Sequence, residues 1–167
     1  MEPKTAGGES GHRPAPRPDT CGAGLVAGTC VLTLDGDLPV DHLVPGDRLI
    51  TRDTGAVTLR DIAVQRVRTG AVLITGGSLG HTRPGRDLVV PAGQPVVVRD
   101  WRARALSGRA CAAIPARRLV DGEFIRALPT AELRLYRLVV DAPHIVYADG
   151  LELAVAGRAQ PAMARAA

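Results

Sequence analysis

The residues of this 167-residue chain best suited to chemistry are three cysteines, Cys21, Cys30 and Cys111, and four histidines, His12, His42, His81 and His144. Thiolates attack acyl carbons and imidazoles move protons near neutral pH, so a cysteine and a histidine held together can supply covalent catalysis. The cysteines are odd in number and lack C-x-x-C spacing, which argues against a disulfide framework and against a structural zinc site. The histidines are too scattered to suggest a metal, and no cofactor is expected. Cys21 borders a polar tail and reads as an exposed thiol. Cys30 and Cys111 sit among apolar residues and read as small buried hydrophobes. His144 follows Pro143 at a strand start, where an orienting hydrogen bond is expected, and His42 on a charged turn should face solvent. Asp141 and Asp149 read as turn residues that bond nearby backbone amides.

Arginine is the other candidate. Nearly all of the positive charge is arginine, Lys4 being the only lysine, and the net charge is +4. Arg99, Arg102, Arg104 and Arg109 fall in one stretch, with Arg117 and Arg118 beyond it. Guanidinium groups neutralise phosphates, and Trp101 offers a ring for a base. A single aromatic is a thin stacking platform, so nucleic acid is not the expected partner. The stretch reads as a solvated loop whose arginine stems cover apolar surface. The partner it would suit is an acidic protein surface, met through Arg99, Arg102, Arg104 and Arg109.

The elements that position these residues are short. The hydrophobic fraction is 46% but the aromatic fraction only 2%, so the core is built from Val, Leu, Ile and Ala. These residues come in brief runs cut by Gly, Pro and Asp, a pattern of strands and tight turns. Strands are predicted at 31–34, 49–51, 63–68, 87–90, 95–99, 124–128, 135–141 and 145–148. Asp35-Gly36 marks a hairpin, Pro45-Gly46 suits a type II turn, and 78–86 reads as a surface loop. Helical turns are expected at 39–44 and 115–120, each begun by a proline. The fold class is therefore all-β. Residues 1–20 contain no Val, Leu, Ile or Phe and are expected to be a disordered tail, as are 157–167, leaving 21–156 as one domain. The N-terminal stretch has no apolar h-region, and no apolar run reaches the roughly 20 residues of a membrane helix. The expectation is a soluble, cytoplasmic protein.

Three blocks in order carry a resemblance. The first is Gly28-Thr29-Cys30-Val31-Leu32-Thr33-Leu34-Asp35-Gly36, then Leu38-Pro39-Val40 and Leu43-Val44-Pro45-Gly46-Asp47 running into Arg48-Leu49-Ile50-Thr51. The second is Pro115-Ala116-Arg117-Arg118-Leu119-Val120-Asp121-Gly122, and the third Pro143-His144-Ile145-Val146-Tyr147-Ala148-Asp149-Gly150-Leu151. Together they resemble bacterial members of the Hint (hedgehog/intein) family. The resemblance implies a Hint fold of short strands and hairpins. It also implies autoprocessing, in which a Cys or Ser attacks the carbonyl before it while an early His, in a T-x-x-H pattern, and a late His assist.

Carried over residue by residue, this equipment is incomplete. The nucleophile position, four residues before the Gly of the Gly-Thr pair, is Gly24, and the T-x-x-H histidine position is Gln94. A glutamine donates hydrogen bonds but supplies no proton near pH 7. His144 matches the late His, and the terminal His-Asn pair of inteins is missing. The expectation is a Hint domain degenerate for autoprocessing, acting as a structural or interaction module. The alternative is cysteine-dependent self-cleavage at the Thr20–Cys21 bond, with Cys21 as nucleophile and His144 assisting.

Overall fold

A computed structural model of the chain describes residues 22–158; Cys21, His12 and the rest of both termini lie outside the described residues. In chain order the strands are β1 (Leu25–Val26), β2 (Cys30–Thr33), β3 (Gly36–Pro39), β4 (Arg48–Thr51), β5 (Gly55–Thr58) and β6 (Asp61–Ile74). They continue with β7 (Leu88–Pro91), β8 (Pro95–Val98), β9 (Ala112–Pro115), β10 (Ile125–Val139), β11 (His144–Ala148) and β12 (Leu151–Val155). One helix, α1 (Trp101–Ser107), and 3-10 turns at Val40–His42 and Ala116–Arg118 complete the described secondary structure. The all-β expectation holds, and both proline-initiated turns fall where proline fixes φ for them.

Two antiparallel sheets share the core. The first has the order β1-β10-β6-β7, and the second runs β3-β2-β4-β11-β12-β8-β9 with β5 on β4. Val31, Leu49, Val96, Val146 and Leu153 from the second sheet are fully buried with Val72, Ile74, Ile125 and Leu135 from the first. Two turns fix the register of the early strands. In the first hairpin, Thr33 pairs with Gly36, which takes φ +103°. At Val44–Asp47 the Asp47 amide donates to the Val44 carbonyl at 3.1 Å, with Gly46 at φ +103°, as a type II turn requires.

The structure departs from the sequence reading at several points, among them strands at 25–26, 55–58, 112–115 and 151–155 that were not predicted and the extension of 63–68 to 61–74. The predicted strands 124–128 and 135–141 are one 15-residue strand, β10, paired along β6. Pro129 has no N–H for the ladder, and the register shifts between Leu128 and Ala131, opposite Gly70. Proline thus bulges the strand instead of ending it. Residues 101–107, read as loop, form α1: the Asp100 side chain accepts from the Arg102 amide, and Gly108 closes the other end at φ +72°. Cys111 is exposed and Cys30 half-buried, because each lies at a strand end or edge and not in the core. Asp141 does not cap a turn; it pairs with Arg60 at 2.7 Å.

At the far end, the Arg158 amide donates to the Val140 carbonyl at 2.7 Å. A Cβ on Gly157 would lie 2.6 Å from Ala142 backbone atoms, so glycine is what lets the chain pass there.

Candidate functional site

Gly24 and Gln94 meet. Gly24 stands just before β1, which pairs with β10 through Leu25 and Tyr136. Gln94 stands in the turn between β7 and β8, closed by its own amide donating to the Pro91 carbonyl at 3.0 Å. That turn places the Gln94 side chain, only 2% exposed, against the entering chain. The Gly24 N–H donates to Gln94 Oε1 at 3.0 Å, and Gln94 Nε2 donates to the carbonyls of Pro95 (3.1 Å) and Ala154 (3.0 Å). One N–H donor and two carbonyl acceptors allow only this orientation of the carboxamide.

The backbone around Gly24 is tight and takes a conformation that favours glycine. Gly24 has φ +150°, and a Cβ built there would lie 3.2 Å from both the Leu135 Cβ and the Tyr136 carbonyl oxygen. Two residues earlier Gly22 has φ +91°, with a Cβ position 3.3 Å from Thr69 Oγ1. The chain enters through a slot cut for glycine. At the Ala23–Gly24 amide Gln94 acts as a hydrogen-bond acceptor. A leaving amine needs a proton brought to its nitrogen. Gln94 Oε1 accepts the existing N–H instead.

His144 belongs to a separate cluster. Its Nδ1 lies 2.7 Å from Asp53 Oδ2 and 3.1 Å from Thr54 Oγ1, while Asp53 Oδ1 accepts the Ile145 amide at 3.0 Å. Asp53 and Thr54 occupy the turn between β4 and β5, beside the start of β11 because β4 and β11 pair through Thr51 and Val146. Burial pushes the Asp53 carboxyl up, but the Ile145 amide and His144 outweigh it and hold the carboxyl at about 2. The His144 side chain is 12% exposed. The expected orienting hydrogen bond is present, and the structure supplies its partner, Asp53, which the sequence reading had missed. His42 is solvent-facing as expected, its side chain 71% exposed. Asp149 does not bond a neighbouring turn amide as expected: its carboxylate accepts from the Cys30 amide on β2 at 3.1 Å and pairs with Arg86, whose Nη2 lies 3.7 Å from Cys30 Sγ.

The arginines are divided between ion pairs and solvent. Arg102, 12% exposed, holds Asp100 and Asp121, and its guanidinium carbon lies 5.2 Å from the Trp101 ring centroid. Arg104 and Arg109 are exposed. Arg99 turns instead to Glu152 on β12, a carboxylate only 4% exposed that Arg83 and Arg52 also approach. Sequence reasoning passed over Glu152. Its signal was a lone carboxylate inside the apolar run Leu151–Val155. Among the described residues no group of three His, Cys, Asp or Glu is placed to hold a metal, and no helix is long and apolar enough to cross a membrane.

Comparison with known proteins gives one consistent answer. The family model described as the Hint domain matches residues 23–154. The solution structure of a bacterial intein-like domain from Clostridium thermocellum is 19% identical, with a TM-score of 0.57, covering 80% of this chain and 98% of that one. The crystal structure of the MchDnaB-1 intein (N145AA) is 16% identical at a TM-score of 0.53, covering 79% and 98%. The gp41-1 intein is 14% identical at 0.51, covering 78% and 96%. Among curated proteins there is no match. At these identities the structural likeness shows a shared fold alone, while the family match extends from just before Gly24 to the Ala154 that Gln94 holds. The chain belongs to the Hint domain family.

Proposed function

We propose that this Hint domain no longer processes its own backbone and serves as a structural or interaction module. One observation carries the reading: where the family places nucleophile and activating histidine, Gly24 and Gln94 form a buried amide-to-carboxamide hydrogen bond. Gly24 has no side chain to attack with, and its φ of +150° and the 3.2 Å approach of Leu135 and Tyr136 disfavour adding one. Gln94 spends all three of its bonds on holding β1, β8 and β12 together. The position that would promote cleavage thus fastens the sheets.

The test is a fusion of the full chain to a reporter placed before Met1, incubated with and without a thiol and weighed by mass spectrometry. The intact mass should persist in both conditions. Thiol-stimulated scission before Cys21, abolished by Cys21→Ala and slowed by His144→Ala, would overturn the proposal. It would establish instead a shifted nucleophile assisted by His144.

A further inference from the structure

Among the described residues, the most heavily charged buried point lies apart from Gly24 and Gln94. Glu152 sits on β12 between Leu151 and Leu153, with 4% of its side chain exposed. Its Oε2 accepts from Arg99 Nη2 at 2.5 Å, and its Oε1 accepts from Arg83 Nη1 at 3.3 Å, with Arg52 Nε a further 3.6 Å away. A buried carboxylate needs one good partner. Here three guanidiniums converge on a single carboxylate.

Asp100, which also lines this region, does not cancel the surplus. The Asp100 side chain is engaged by the Arg102 amide and guanidinium. Arg83 and Arg99 are 48% and 34% exposed, and each reaches Glu152 through one terminal nitrogen; Arg99 also bonds the Cys111 side chain, while the planar fork of Arg83 keeps further N–H donors for solvent or a ligand.

These two arginines line a cleft of about 490 Å³ whose apolar wall is Leu79, Val97, Val98 and Leu151. That size falls among small-molecule sites, which pair an apolar lining with a few convergent polar groups. The loop above it is held firmly. The Leu79 amide donates to the Arg83 carbonyl at 2.9 Å, and the Arg83 amide to Gly80 at 3.0 Å. Within that loop His81 and Thr82 take positive φ, +42° and +57°, a region that the β-branched Thr82 in particular disfavours. Such strain persists where surrounding structure imposes it, often at ligand clamps.

We infer that the cleft between the 78–83 loop and β8 binds a small organic oxyanion, with Arg83 and Arg99 as its anion clamp, Glu152 orienting both forks, and the Leu79–Val97 wall taking an apolar body. Glu152 plays the part that an outer carboxylate plays behind a ligating side chain: it fixes orientation without touching the ligand. The inference stands whether or not the backbone is cleaved.

The experiment is titration of the ¹⁵N-labelled full chain with phenyl phosphate, benzoate, inorganic phosphate and, as neutral control, benzyl alcohol. Phenyl phosphate and benzoate should give saturable shifts confined to residues 78–83, 96–100 and 151–153, stronger than inorganic phosphate, with none from benzyl alcohol. Arg83→Met leaves Arg99 on Glu152 and should weaken phenyl phosphate roughly tenfold. Arg99→Lys keeps the charge beside Glu152 but loses the fork, and should weaken it severalfold. Arg104→Met, on the exposed face of α1, should change nothing. The inference is overturned by no saturable shift at roughly 10 mM ligand or by equal binding in both clamp variants. It is overturned too by shifts that follow an oligoglutamate peptide across α1 instead, which would mean a diffuse acidic-partner surface.

Discussion

Replacing Gln94 with leucine keeps the side-chain volume close to native while deleting all three of its hydrogen bonds. Gln94→Leu leaves the Gly24 N–H and the Pro95 and Ala154 carbonyls facing an apolar group in a place only 2% exposed at residue 94. Each buried group left without a partner costs about 1 kcal/mol or more, so the loss should be about 3 kcal/mol. Against a total stability of roughly 5–15 kcal/mol this is large. For a chain of this size it corresponds to a melting temperature lowered by roughly 6–12 °C. Urea denaturation followed by far-ultraviolet circular dichroism measures it directly, read as a lower midpoint at unchanged slope.

Gln94→Glu supplies an internal comparison. One carboxylate oxygen still accepts from Gly24, but the other faces two carbonyls and can donate to one of them only when protonated. Its folded pKa should therefore rise above the unfolded value. Stability is then present below the ordinary carboxylate range and is lost as pH climbs through the raised pKa. A loss under 1 kcal/mol in Gln94→Leu, or a Gln94→Glu variant indifferent to pH, would refute the idea that this carboxamide fastens the sheets.

Other outcomes follow from the same contacts. Gly24→Ala forces a side chain into a φ of +150° and a 3.2 Å contact with Leu135 and Tyr136, and should cost about 1–3 kcal/mol in the same urea assay. Gly24→Cys should be destabilised likewise and remain uncleaved in intact-mass measurements, since Gln94 has no proton to give. Asp53, held at about 2 against 3.8, contributes stability that is complete above pH 3.8 and disappears as pH falls toward 2. Its side chain is 40% exposed, so solvent screening reduces this to about 1 kcal/mol, seen as a shallower acid limb in Asp53→Ala. Glu152→Ala removes the counter-charge of Arg99, Arg83 and Arg52 and should cost about 2–3 kcal/mol, partly offset by lowering the arginine charge with a compensating Arg99→Ala.

Much of this architecture was legible because the early strands are punctuated by residues with fixed backbone demands. Asp35-Gly36, Pro39 and Pro45-Gly46 each specify one local geometry, and each was found there. The long pair β6–β10 was harder, since Gly70 and Pro129 look like stops and act as a bulge sustained by the partner strand. Helix α1 was hidden by its arginines, Arg102 and Arg104, although its Asp100 and Gly108 caps were in plain view.

The site was half legible. Register against the family placed Gly24 and Gln94 as paired positions, and the structure brings them within 3.0 Å. Their actual bond, with the amide donating and the carboxamide accepting, depends on the close passage of β1 beside the β7–β8 turn, which no local pattern encodes. That three arginines would meet at Glu152 was not legible for the same reason. Arg52, Arg83 and Arg99 are remote in sequence and converge only when β12 pairs with β11 and β8.

The Gly24 amide is the most direct witness to the central claim that Gln94 clasps this backbone position. In the ¹⁵N-labelled full chain its resonance can be followed by hydrogen exchange into D₂O. The account predicts protection close to that of buried sheet amides such as Val96 and Leu153, and loss of that protection in Gln94→Leu at conditions where both proteins remain folded. A Gly24 amide that exchanges as fast as an exposed loop, or is equally protected without Gln94, would contradict it.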